Sequence, residues 1–175
     1  MATWGSRGLR GSFLEEHINF TIAYLRERHL ALIQKIPTPI TPIEIDKESR
    51  HITLAYFDKK STVDYLGAVQ GIPVCFDAKE CAEDTFPLAN IHEHQVRFMR
   101  ELEEQDGVSF LLLYFSNRQI YYYMRFKEME GFFARMANGG RKSFTFDELT
   151  EGYFLREKNN RIPFLEALQM DLEER

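Results

Sequence analysis

Residues 72–80, IPVCFDAKE, constrain the chain more than any other stretch. They read as a strand, and side chains two apart on a strand share a face. Val74, Phe76 and Ala78 therefore point into a core, while Cys75, Asp77 and Lys79 point to the other face, expected to be open. TVDYLGAV, 62–69, is a second strand, joined to the first by a turn near Gly71. Asp64 lies thirteen residues before Asp77, so pairing of the two strands would bring their carboxylates close. Carboxylates that close repel, and the usual remedy is a hard divalent cation with oxygen ligands, Mg²⁺ above all. A lysine beside such a metal holds a phosphate oxygen or orients an attacking water, which suits phosphodiester hydrolysis. Spacing alone favours a plainer reading, in which Asp77 and Lys79 are an exposed pair worth little and Asp64 is a turn residue, and the acid thirteen residues back shifts that balance only modestly.

The rest of the chain supplies a framework for these strands. Ser12 followed by Glu15 has capping-box spacing, and Leu14, Ile18, Thr21, Ile22 and Leu25 recur at helical spacing up to Arg28. LALIQKI, 30–36, reads as a strand, PTPITPIEI as an irregular passage or an edge, and HITLAYF, 51–57, as a half-buried strand. NIHEHQVRFMRELEEQ, 90–105, is helical with Asn90 as its cap; Ile91, Gln95, Phe98, Met99 and Leu102 share one side. SFLLLYF and QIYYYMRF are strands joined by a polar turn, KEMEGFFARMA is a short helix, and NGGRKSFTFDEL is a basic glycine-rich loop leading into a helical turn. PFLEALQMDLEE is a terminal helix with proline in its first turn. This order predicts an α/β fold with a mixed central sheet flanked by helices.

At 175 residues the chain fits one domain. No apolar run is long enough for a membrane helix, and the N-terminus has no signal-peptide pattern. Two cysteines without zinc-site spacing imply no oxidised framework, so a cytoplasmic setting is expected. The net charge of −5 is unevenly spread: residues 61–110 carry −7 and residues 111–165 carry +3. An acidic total does not exclude a polyanion binder, which needs positive charge only on one surface.

Several motifs in sequence order carry a family likeness: GSFLEEHIN, KIPTPI, AYF, STVDYLG, FDAKE, FPLANIHEHQ, QDGVSFLL and GRKS. Together they resemble the PD-(D/E)XK nuclease superfamily with its restriction-endonuclease-like core, and within it the RecU-type Holliday junction resolvases, from about Gly11 to the end of the chain. FPLANIHEHQ after an acid-x-Lys strand is the specific part. The resemblance implies an endonuclease that resolves four-way DNA junctions by paired nicks. It implies a Mg²⁺ ion, with Mn²⁺ as the alternative, bound by Thr62, Asp64, Asp77 and Gln95. Lys79 would stabilise the transition state, and Glu15 matches a first-helix glutamate near the site. It also implies a homodimer, a stalk built from about residues 37–60, and dealings with a branch-migration helicase and a strand-exchange recombinase. Val63 stands where the superfamily has proline, and Asp77 where RecU relatives usually have glutamate.

Other residues divide between function and scaffold. Arg141 and Lys142, after Gly139 and Gly140, are read as phosphate contacts over a solvated turn, and Lys59 and Lys60 as DNA contacts at the stalk base, with chance surface lysines close behind. His92 and His94 are two apart on a helix and are read as helix-start polar residues rather than joint ligands. Tyr121, Tyr122 and Tyr123 are read as core before base-stacking residues, and the acidic tail as a solvated helix face. A catalytically silent junction-binding scaffold is the alternative; the complete set Thr62, Asp64, Asp77, Lys79 and Gln95 argues for the enzyme.

Overall fold

The computed structural model describes residues 13–57 and 62–175. Ser12, Lys59 and Lys60 lie outside the described residues. The first helix, α1 (Phe13–Glu27), buries Leu14, Ile18, Thr21 and Leu25, the helical stripe expected. It leads to β1 (Ala31–Lys35), then to β2 (Ile40–Ile45) and β3 (Ile52–Phe57). Next come β4 (Tyr65–Val69), β5 (Ile72–Cys81), β6 (Thr85–Pro87) and α2 (Glu93–Glu103). The second half runs β7 (Val108–Phe115), β8 (Ile120–Arg125), α3 (Phe126–Ala137), β9 (Ser143–Thr145), β10 (Phe154–Leu155) and α4 (Phe164–Glu173).

Six strands form a mixed central sheet in the order β1-β4-β5-β7-β8-β10. Only β5 and β7 run parallel; the other neighbours are antiparallel. A parallel pair needs a crossover, and here the crossover includes α2, which lies over β5 and β7. β7 is buried at every position, as a central strand covered on both faces must be. The mixed sheet flanked by helices is the α/β architecture expected from the order of elements.

One face of the sheet is organised by aromatic rings. Tyr65 stacks on Phe76 at 4.7 Å, Phe76 on Phe110 at 4.6 Å, and Phe110 on Tyr123 at 4.2 Å, a ladder that crosses β4, β5, β7 and β8. Tyr65 pairs with Phe76 and Phe76 with Phe110 in the strand register, so the ladder fixes that register. Tyr121, Tyr122 and Tyr123 are all buried, which makes the three tyrosines core residues.

Several local expectations are corrected. The face carrying Cys75 and Asp77 is not open, because α2 covers it and both side chains are fully buried. β3 is exposed along nearly its whole length, since it pairs only with β2 in a ribbon outside the main sheet. In β2 the register shifts just after Pro42, where a proline cannot donate to the ladder. The cap of α2 is His92 rather than Asn90, which sits in a short turn of 3₁₀ helix. The acidic tail is not wholly solvated: Asp171 is buried and accepts a hydrogen bond from the Tyr123 hydroxyl at 3.0 Å.

At Gly67 the β4 backbone faces β1 with no room for a side chain. A Cβ placed there would lie 2.1 Å from the Leu32 carbonyl oxygen. Gly67→Ala should therefore destabilise the protein by about 3 kcal/mol or more, because backbone rather than a flexible side chain must move. Equilibrium denaturation of the two proteins checks this, and equal midpoints would show that the β1–β4 pairing is looser than described.

Candidate active site

The site is built where β4 begins. Tyr65 lies opposite Phe76, which puts Asp64 beside Asp77 across the antiparallel pair. The two acids bracket each other through the backbone. The Asp64 N–H donates to Asp77 Oδ1 at 2.9 Å, and the Ala78 N–H donates to Asp64 Oδ2 at 3.0 Å. Lys79 Nζ lies 2.6 Å from Asp77 Oδ2. That oxygen is buried and has no hydrogen bond of acceptable geometry, so it meets the ammonium as an ion pair only.

Burial dominates the electrostatics. The Asp77 carboxyl is pushed up to about 6, first by loss of water, against the pull of Lys79 and with a further push from Asp64. Lys79 keeps some solvent contact, its side chain being 19% exposed. The site thus has a desolvated acid inside and a lysine at the rim.

Other expected residues arrive by different routes. Thr62 is exposed on the bend two residues before Asp64. Gln95 is buried on α2, and its Oε1 accepts from the His92 N–H at 3.0 Å, completing a capping box. No hydrogen bond joins Gln95 to the acid pair among the described residues; what brings it toward β5 is the packing of α2. His92 and His94 stack with ring centroids 5.4 Å apart at the start of the same helix. Glu15 pairs with Lys35 at 2.7 Å. Lys35 lies opposite Tyr65, and the next residue, Ile36, donates its N–H to the Asp64 carbonyl at 2.8 Å, so the Glu15–Lys35 pair stands alongside the site.

Two neighbours of the site escaped sequence reasoning. Lys35 is one, since only the β1–β4 pairing reveals that it lies next to Asp64. Glu80 is the other. It lies on the opposite face of β5 from Lys79, and its Oε1 accepts from the Leu14 N–H at 2.7 Å, capping α1 from a distance of 66 residues. That bond sets the first turn of α1, with Glu15, at the end of β5. Glu80 stands in plain view in FDAKE, but no spacing rule ties it to a residue 66 positions earlier.

Arg141 and Lys142 are exposed. Gly139 adopts φ +82° and ends α3, with the Gly140 N–H donating to the Arg135 carbonyl at 2.9 Å, so the glycines serve as a helix terminus. The basic pair is tied toward α2 by the Leu88 N–H, which donates to the Lys142 carbonyl at 3.0 Å, and by pairing of β6 with β9. A cavity of about 800 Å³ lies elsewhere, among Arg100, Arg125, Glu128 and Arg175.

The donor set fits a hard cation. Asp64 and Asp77 supply adjacent carboxylates, and Asp77 Oδ2 is a buried oxygen that accepts no hydrogen bond and meets only the Lys79 ammonium. No three His, Cys, Asp or Glu side chains converge among the described residues, so further ligands would be neutral oxygens or water. That suits Mg²⁺, which keeps several waters, better than Zn²⁺.

Comparison with known proteins gives the family. The family described as RecU, Recombination protein U, matches residues 9–170. The chain belongs to the RecU family. The Holliday junction resolvase RecU of Pediococcus pentosaceus is 38% identical over 172 residues, covering 95% of this chain and 86% of that protein. The Holliday junction resolvase RecU of Limosilactobacillus reuteri is 37% identical over 165 residues, covering 91% and 81%. A solved structure, Archaeoglobus fulgidus Hjc, a Holliday junction resolvase from an archaeal hyperthermophile, aligns over 64% of this chain and 74% of that one with 9% identity and a TM-score of 0.37. No helix among the described residues of this RecU-family chain is long and apolar enough to cross a membrane.

The raised Asp77 carboxyl has a consequence for stability. The folded state holds this proton more tightly than the unfolded chain does, so the contribution of Asp77 to metal-free stability is fully present below the ordinary value of 3.8 and is lost as pH rises through about 6. Asp77→Asn keeps an oxygen for the Asp64 N–H and removes the buried charge. In EDTA at about pH 8 it should be more stable than the parent by about 1–2 kcal/mol, and the difference should shrink toward about pH 4. Thermal melts at the two pH values check this; a variant less stable than the parent at both would refute it.

Proposed function

We propose that this chain is a Mg²⁺-dependent endonuclease that resolves four-way DNA junctions by paired nicks. The observation that carries this reading is the joining of Asp64, Asp77 and Lys79 by direct contacts, with Lys79 Nζ 2.6 Å from a buried carboxylate oxygen. The names of its relatives, Holliday junction resolvases over most of this chain, support the substrate.

Asp64 and Asp77 would hold the cation, with Thr62 and Gln95 completing the set; when bound it supplies charge stabilisation at the phosphate and a more acidic water. Lys79, at the rim, orients a phosphate oxygen or the attacking water. Asp77, whose carboxyl is pushed up to about 6 by burial, would hold the cation in its ionised form, so cation binding should weaken as pH falls below that value. Glu15 acts through Lys35 to shape the positive charge beside Asp64. Arg141 and Lys142 offer exposed cations for the DNA backbone.

The homodimer reading has support in the β2–β3 ribbon. Ile40, Ile43, Ile45, Ile52, Leu54, Tyr56 and Phe57 are all exposed there. A two-stranded ribbon is marginal alone in water, and this one carries a larger apolar surface than a monomer usually leaves bare. Covering by a second copy accounts for it, and a two-fold dimer matches two symmetric nicks.

The test is to incubate purified protein with labelled four-way junction and with matched linear duplex, in Mg²⁺ or EDTA, beside Asp77→Ala and Lys79→Ala. Paired Mg²⁺-dependent nicks in the junction are expected, with cleavage lost in Asp77→Ala and slowed by about 10²–10³-fold in Lys79→Ala. Binding without cleavage in any divalent metal would leave only the junction-binding scaffold.

A further inference from the structure

Tyr24, on the half of α1 away from the acids, carries two guanidinium groups. Arg28 lies with its Cζ 4.1 Å from the ring centroid, and Arg161 with its Cζ 3.7 Å from the same centroid. The two charges are therefore less than about 8 Å apart. That is no more than one screening length at physiological salt. Each gains from the ring and loses from the other.

Neither arginine has a carboxylate within ion-pair distance among the described residues. Arg100, Arg118, Arg125, Arg135 and Arg175 each have one; what sets Arg28 and Arg161 apart from the other described arginines without an acid is that they share one ring. A protein with 27 acids and 22 basic residues has carboxylates enough to pair these two as well.

Arg161 is also held in place. Lys158 and Arg161 exchange backbone hydrogen bonds of 2.9 and 3.1 Å around a two-residue turn, in which Asn159 and Asn160 both adopt positive φ, 53° and 59°. Asparagine tolerates that conformation better than other side chains do, and two in succession make the tight primed turn of a hairpin. The next residue, Ile162, is buried and donates its N–H to Thr21 Oγ1 on α1 at 3.0 Å. The hairpin is thus pinned to the helix that carries Tyr24 and Arg28. Beside the ring lies a cavity of about 260 Å³ that Tyr24, Lys158, Asn159 and Arg161 help to line.

We infer that Arg28, Tyr24 and Arg161 form a phosphate clamp for a duplex arm of the DNA substrate, separate from the acid site. The inference rests on the reading of this chain as a DNA-binding nuclease. A duplex presents a charge every ~3.4 Å along each strand, so two cations at this separation meet phosphates of one backbone. Planar guanidiniums suit phosphate oxygens, and the ring beneath restricts their rotation before DNA arrives. A phosphate also relieves the repulsion between the two arginines. Tyr24 is a platform for the cations here, with its ring already occupied, and stacks no base.

The experiment measures junction binding by fluorescence anisotropy in EDTA across a salt series, for the parent, Arg28→Gln/Arg161→Gln and Arg118→Gln. Arg118 is bound to Asp84, so its loss changes net charge without removing a free cation. The double variant should bind about tenfold more weakly at ~0.1 M salt, and its slope of log affinity against log salt should fall by about 1.8, two contacts at 0.9 each. Arg118→Gln should match the parent, as should thermal melts of the double variant. Arg28→Gln alone, at an exposed position, should show about half the slope change and serves if the double variant does not fold. A double variant with parental slope and affinity overturns the clamp and leaves the nuclease reading intact. A parent that binds no junction at all overturns both.

Discussion

A buried carboxylate is the constraint on which this structure turns. Asp77 sits fully buried between a backbone N–H and a lysine, and burial outweighs both in setting its protonation. Such a group is tolerated only where the surrounding structure holds it rigidly. The rigidity comes from behind: the Tyr65–Phe76–Phe110–Tyr123 ladder lies on the far face of the same strands. Slipping β4 against β5 by one residue would unstack those rings and move Asp64 away from Asp77. Packing energy on one face thus fixes the chemistry on the other.

The same strand also reaches outward. Glu80, three residues beyond Asp77, caps α1, and α1 returns Glu15 to Lys35 beside Asp64. The loop of interactions runs β5 to α1 to β1 to β4 and back to β5. The first two links are single polar contacts across 66 and 20 residues, and the other two are strand ladders. Loss of either polar contact leaves the core intact and loosens the site, which is how a positioning contact differs from a packing contact.

Much of this could be read in the sequence, and the failures have physical reasons. The D-x-K strand and the acid thirteen residues before it were legible because period two and antiparallel pairing are local rules. The closed second face was not: Cys75 and Asp77 look like an open face until α2 packs on it through Ser109, whose hydroxyl contacts both Cys75 Sγ at 3.3 Å and the Met99 carbonyl at 2.9 Å. HITLAYF alternates like a half-buried strand, but alternation cannot tell whether anything covers the apolar face, and nothing among the described residues does. Glu80, Lys35 and the Arg28–Arg161 pair depend on contacts across 20 to 133 residues, beyond the reach of any spacing rule.

Net charge is a poor guide to whether such a chain can hold DNA. Counterion release depends on cations that are free to meet phosphate, and a cation already bound to a carboxylate must first break that bond. In this molecule many of the acids are occupied with arginines on their own side: Asp84 with Arg118, Glu103 with Arg175, Glu130 with Arg100 and Glu148 with Arg135. Those pairs contribute nearly nothing to the field beyond a screening length. What remains is decided by position. The unpaired Arg28 and Arg161 lie together on one ring, and the exposed Arg141 and Lys142 share one loop. An acidic total of −5 is therefore compatible with local positive surfaces, because the charges that pairing leaves over are unevenly placed and the field near each surface follows its own cations.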